Sequence, residues 1–114
     1  MTDALSVHFK GRRAVLEPLF RALIHKQQRL GNIKVDSDKS FIIFSAPHPY
    51  AIVRVAEDHL EVFMKLSETT PIPPSLVSAA RLRLPNMTHY CVIQSVSDIT
   101  PDVLRSLMWA KEAS

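Results

Sequence analysis

Residues 39–66 read KSFIIFSAPHPYAIVRVAEDHLEVFMKL, three apolar bursts separated by two short polar breaks. The first burst, FIIFSA, is apolar on both faces, as a strand covered on both sides must be, and is therefore central in a sheet. Pro47 and Pro49 then exclude helix and bar a ladder interior. In YAIVRVA, Ala51, Val53 and Val55 alternate against Tyr50, Ile52 and Arg54. The acidic break Glu57–His59 turns the chain, and Leu60, Val62, Met64 and Leu66 alternate against His59, Glu61, Phe63 and Lys65. This two-residue period is that of half-buried β-strands. Short turns make the three an antiparallel meander of spatial neighbours. One face is aliphatic. The other carries Tyr50, Ile52, Arg54, His59, Glu61, Phe63 and Lys65, too charged for a core and too apolar for plain solvent.

On the N-terminal side, Leu16, Leu19, Phe20, Leu23, Ile24, Gln27 and Leu30 recur at spacings of three and four. That is the inner face of an amphipathic helix. Pro18 belongs in its first turn, where a missing N–H costs little. The pattern predicts a start near Ala14 and a glycine cap at Gly31. TDALSVHF predicts a short helix before it, and NIKVD a short strand after it. On the C-terminal side, three prolines in four residues (Pro71, Pro73, Pro74) stiffen the chain. Ser75–Ala80 reads equally as a helical turn or two, or RLRL as an edge strand. HYCVIQS (89–95) reads as a last strand. Thr100, Pro101 and Asp102 open a terminal helix as cap, first helical residue and first-turn acid. Val103, Leu104, Leu107 and Met108 form its inner stripe. The expected fold is one α+β domain over residues 1–114. An antiparallel sheet of four or five strands has the long N-terminal helix on its aliphatic face, and a C-terminal helix follows. Leu19, Phe20, Leu23, Val53, Leu60, Val62 and Met64 should share one core.

The composition fits this. The chain has 114 residues, 46% hydrophobic and 22% charged, ordinary for a globular domain. Its apolar runs are far shorter than the roughly 20 residues of a membrane span. MTDALSVHFKGRR lacks the apolar core of a signal peptide. Cys91 is alone, so no internal disulfide forms and a cytoplasmic setting is expected. The net charge is +3, yet residues 1–34 hold seven Lys and Arg against Asp3 and Glu17, leaving −2 for the remainder. A basic end of this kind attracts nucleic acid or another polyanion. The plainer reading is a solvated helix face, because no aromatic is interleaved as a stacking platform.

Taken together, the helix ending in LG, then KSFIIF, the pair YA, the strand LEVFMKL and THYCVIQSVSDI before a terminal helix resemble a family. It is a bacterial and archaeal domain of unknown function. Some members are labelled "predicted transport protein", and the domain also occurs at the C-termini of restriction-like proteins. The resemblance runs from about Phe9 to Ala113, with Lys39, Ser40, Tyr50, Ala51 and His89 as matching positions. The Trp or Gly-rich turn of the family before the histidine is replaced here by RLRLPNM, which puts in doubt any site using that loop. The resemblance implies a fold and an origin but no reaction.

The residues themselves point away from catalysis. No helical His pair at i, i+4 and no C-x-x-C is present. With only Gly11 and Gly31 there is no phosphate-cradling loop, and there is no G-x-S-x-G. His89 and Cys91, two apart on a strand, share a side. They make the alternative of a small enzyme or metal-binding protein, though a buried thiol beside a histidine is the commoner arrangement. No cofactor and no metal site is expected. The better constellation is cationic, with Lys39, Arg54, Lys65 and His89 around an apolar floor of Tyr50, Ile52 and Phe63, and Glu61 among them. It suits a small anionic ligand or a phosphate backbone. The plainer alternative is cross-strand pairing of Glu61 with Arg54 or Lys65. The expectation is a non-catalytic binding or accessory module, with no membrane partner. A further alternative is a homodimer formed through the half-apolar face.

Overall fold

The computed structural model describes residues 6–38, 40–82, 84 and 86–113. The expected cap at Thr2 or Asp3 lies outside them. Two 3₁₀ turns, Ser6–Phe9 and Gly11–Leu16, lead into α1 (Glu17–Gln28). Strands β1 (Lys34–Ser37), β2 (Ile42–Ser45), β3 (Pro49–Val55) and β4 (Leu60–Met64) follow. Next come β5 (Val77–Ser78), β6 (His89–Ile93) and α2 (Pro101–Ala113). The protein is α+β. Among the described residues its strands form one antiparallel sheet in the order β1-β2-β3-β4-β6-β5.

Six strands replace the four or five expected. The added one is β5, where Val77 and Ser78 pair with Tyr90 and His89 at the sheet edge. A two-residue strand has too little sequence to show a period; its partner defines it. Residues 80–82, left open between helix and edge strand, make a single 3₁₀ turn.

The aliphatic face is built as the alternation requires. Ile42, Val53, Val62 and Cys91 align across β2, β3, β4 and β6, and all are buried. Leu19, Phe20 and Leu23 of α1 and Val103 and Leu107 of α2 belong to the same cluster. Four rings run through it. Phe9 lies 5.2 Å from Phe20, Phe20 lies 6.1 Å from Phe44, and Phe44 lies 6.3 Å from Tyr50. At these centroid separations each pair adds about 0.5–1.5 kcal/mol beyond burial. The N-terminal turn is thereby tied to β2 and β3 through α1.

The end signals are met in part: α1 starts at Glu17 rather than near Ala14, because residues 11–16 form a 3₁₀ turn, and its cap is Arg29 in right-handed helical conformation rather than Gly31. Pro18 sits in the first turn of α1. The chain leaves through Gly31 at φ +152°, a conformation that L side chains rarely adopt. Because α1 stops at Gln28, Leu30 lies beyond it and is exposed, not on the inner face as its spacing implied. At α2, Thr100 Oγ1 accepts the Val103 N–H at 3.2 Å. The interior of α2 uses Ser106 and Ala110 as well as Val103 and Leu107. Ser106 Oγ donates to the Asp102 carbonyl at 2.9 Å, so its hydroxyl is satisfied while buried. Among the described residues no helix is long and apolar enough to cross a membrane.

Candidate functional site

The mixed face is best followed along β3 and β4. Ile52 pairs with Phe63 and Arg54 with Glu61, so all four side chains leave one face of the sheet. Arg54 makes an ion pair with Glu61, whose side chain is only 14% exposed against 53% for Arg54. The carboxylate is thus sunk between strands while the guanidinium reaches outward. Glu61 also meets His59, with Nε2 3.3 Å from Oε2, and His59 Nδ1 lies 2.6 Å from Asp58. Burial alone would lower the His59 pKa. The hydrogen bonds and charges of Asp58 and Glu61 outweigh it and raise the pKa above 6.5.

The remaining expected site residues do not gather there. Lys65 follows the end of β4, exposed, four residues beyond Glu61. At about 3.4 Å per residue that is roughly 14 Å along the strand, so Lys65 does not stand beside Arg54. His89 pairs with Met64, which puts it on the aliphatic side rather than the mixed one, with Nδ1 2.9 Å from Thr88 Oγ1. Lys39 lies outside the described residues.

Tyr50 departs furthest from its expected place. Phe44 pairs with Ala51 but Ser45 pairs with Pro49, so Tyr50 is the extra residue of a β-bulge. A bulge re-aims a side chain. Tyr50 accordingly turns into the core, 1% exposed, and its hydroxyl donates to Gln27 Oε1 of α1 at 2.8 Å. Burial raises its pKa. It holds α1 to the sheet and forms no floor for a ligand.

Phe63 does lie with Arg54 and Glu61, and it is 1% exposed. It stands apart from the main core cluster, its ring stacked on Tyr90 at 5.3 Å. The chain itself therefore covers this ring.

What Arg54 joins instead is an open cleft of about 490 Å³ at the far end of β3. Arg54, Val55, Ala56 and Glu57, from the end of β3 and the turn after it, line it together with Val7, His8 and Arg13 of the two N-terminal 3₁₀ turns. Ser40 enters from the β1–β2 turn. That turn is fixed by Asp38, whose Oδ1 accepts the N–H groups of Ser40 and Phe41, each at 2.8 Å. Those two bonds, Phe41's first, hold the Asp38 carboxyl below its usual range. His8 is 5% exposed, and its Nε2 lies 2.9 Å from the Asp38 carbonyl, which ties the N-terminal turn to the β1–β2 turn. The β3–β4 turn is closed by the Ala56 N–H donating to the His59 carbonyl at 2.9 Å, and it presents Glu57. Arg13 is exposed and makes no ion pair with a described residue.

Sequence patterning marks Arg13 only as part of a basic segment and Ser40 only as a position of the family resemblance, and it does not single out His8 or Glu57 as site residues. Neither a helical nor a strand period connects residues 7–13 with residues 40 and 54–57; only the tertiary fold does. Elsewhere the chemistry is sparse. Among the described residues no group of three or more His, Cys, Asp or Glu is arranged to hold a metal ion. His89 and Cys91 share a face, but Cys91 is buried and its thiol is pushed up to about 12, by burial first and by Asp98 second. A thiol so protonated is a poor nucleophile or metal ligand.

Comparison with known proteins places the chain by family. Residues 6–114 match the domain of unknown function DUF5655. The chain belongs to that family. All the positions that carried the resemblance, Lys39, Ser40, Tyr50, Ala51 and His89, lie within the DUF5655 match. No curated protein and no solved structure matches the chain.

Proposed function

We propose that this DUF5655 domain is a non-catalytic binding module whose ligand is a small anion, held in the cleft between Arg13 and Arg54. The observation that carries the reading is the convergence of those two arginines, far apart in sequence, on the walls of one cleft. Guanidinium groups present forked N–H donors that match carboxylate and phosphate oxygens. Glu61 occupies one side of Arg54 and fixes its direction, a common way of preorganising a binding group. The volume lies within the range of small-molecule sites, roughly 300–1,000 Å³. Catalysis is not part of the reading. The imidazole at the cleft, His8, is buried and commits Nε2 to donating to the Asp38 carbonyl. The accessory role in a bacterial cytoplasm comes from the lone cysteine and the family resemblance.

Thermal melting in sulfate tests the reading, with sodium chloride at matched ionic strength as control. A ligand that binds only the folded state raises Tm. Used at low millimolar concentration, below the range in which sulfate stabilises folded proteins generally, sulfate should raise it beyond chloride, and Arg13→Glu should abolish the difference. An equal shift in both salts, or one that survives Arg13→Glu, would overturn the reading.

A further inference from the structure

The geometry points to a sugar phosphate, a phosphate monoester of a polyol, as the class of ligand this cleft takes; the inference rests on the anion-binding reading above. Arg13 supplies a guanidinium fork and Arg54 the N–H groups that its pairing with Glu61 leaves over, which together suit a tetrahedral oxyanion better than a single carboxylate. The Ser40 hydroxyl lines the same space and adds a donor or acceptor. Glu57, however, lines it too. An ionised glutamate only accepts hydrogen bonds, and it repels a ligand that is anionic throughout. It favours a ligand whose anionic end is followed by donors. An ammonium donor close to two guanidiniums is itself repelled, whereas neutral hydroxyls are not. Val7, Val55 and Ala56 give the cleft aliphatic walls. These suit the C–H faces of a carbon skeleton and offer nothing to a bare inorganic ion. At about 490 Å³ the space holds a phosphate group together with a sugar-sized body. The phosphate lies between Arg13 and Arg54, and the hydroxyls lie toward Glu57.

Isothermal titration of the whole chain at low salt with ribose 5-phosphate, ribose and inorganic phosphate tests this. Ribose 5-phosphate should bind at least about tenfold tighter than phosphate, and ribose alone should give no measurable binding. Glu57→Ala should bring ribose 5-phosphate down to the level of phosphate while leaving phosphate no weaker. Arg13→Gln should weaken both anions by about tenfold or more. Glu57 and Arg13 are exposed and both variants should fold, which a melting curve verifies. If wild type binds phosphate as tightly as ribose 5-phosphate, or if Glu57→Ala leaves the margin intact, the ligand class is overturned while the anion site stands. If wild type binds neither anion, the anion reading itself fails.

Discussion

At the scale of single residues, Tyr50 and His59 show where a local pattern does and does not reach. Alternation places Arg54, Glu61 and Phe63 on one face, and the register agrees, because pairing preserves a two-residue period along an unbroken ladder. Tyr50 escapes that logic since the extra residue belongs to the pairing of β3 with β2, which no local window contains. His59 is a case in which the local environment sets a measurable property. It sits between Asp58 and Glu61, and its pKa is raised above 6.5. A histidine held more basic in the folded than in the unfolded state contributes stability that is complete below the unfolded value. That stability is lost as pH rises through the folded value. We therefore expect Tm to fall as pH rises from about 6 toward about 8. In His59→Gln this part of the slope should vanish, which separates it from the contributions of the other histidines. An unchanged slope in the variant would show that the two carboxylates do not hold the imidazolium.

Among the secondary-structure elements, the best-read were those whose signals are local. The three-and-four spacing of Leu19, Phe20 and Leu23 locates α1, and Thr100-Pro101-Asp102 locates the start of α2. The N-terminal turns and β5 were read less well because their conformation is imposed from outside. Leu16 and Phe9 are buried against α1 and the sheet even though the backbone bearing them is 3₁₀ rather than α-helical. Leu23 is 0% exposed in the cluster that joins α1 to Val53, Val62 and Met64. Leu23→Ala removes buried methyl groups and leaves a cavity that the close-packed strands below cannot readily fill. Urea unfolding should show a loss of about 2–5 kcal/mol. A loss below about 0.5 kcal/mol would mean that the helix contributes little to the cooperative core, contrary to its burial.

At the scale of the whole molecule, the two features that drew attention to the mixed face part company. Its apolar ring, Phe63, is covered within the chain, which removes the main reason to expect a second copy on that face. Its cation, Arg54, instead completes a cleft with the N-terminal turns. The charge asymmetry then acquires a location: Lys10, Arg12 and Arg13 are all exposed in one short stretch, of which Arg13 lines the cleft. None of the three makes an ion pair with a described residue. A long polyanion laid on this stretch meets cations but no described aromatic platform, and no element here is shaped to read base edges. Binding to duplex DNA should therefore be weak and indifferent to sequence, arising from counterion release alone. If about three phosphates are neutralised, the logarithmic salt slope is near −2.7. Affinity should then fall about 40-fold between roughly 50 and 200 mM salt. Fluorescence anisotropy with two labelled duplexes of unrelated sequence checks both points. Arg12→Gln with Arg13→Gln should flatten the slope by about two, in proportion to the charges removed. Sequence preference, or a slope that ignores these arginines, would move the contact away from the N-terminal turns. Absence of binding at the lowest salt would leave the cleft to small anions alone.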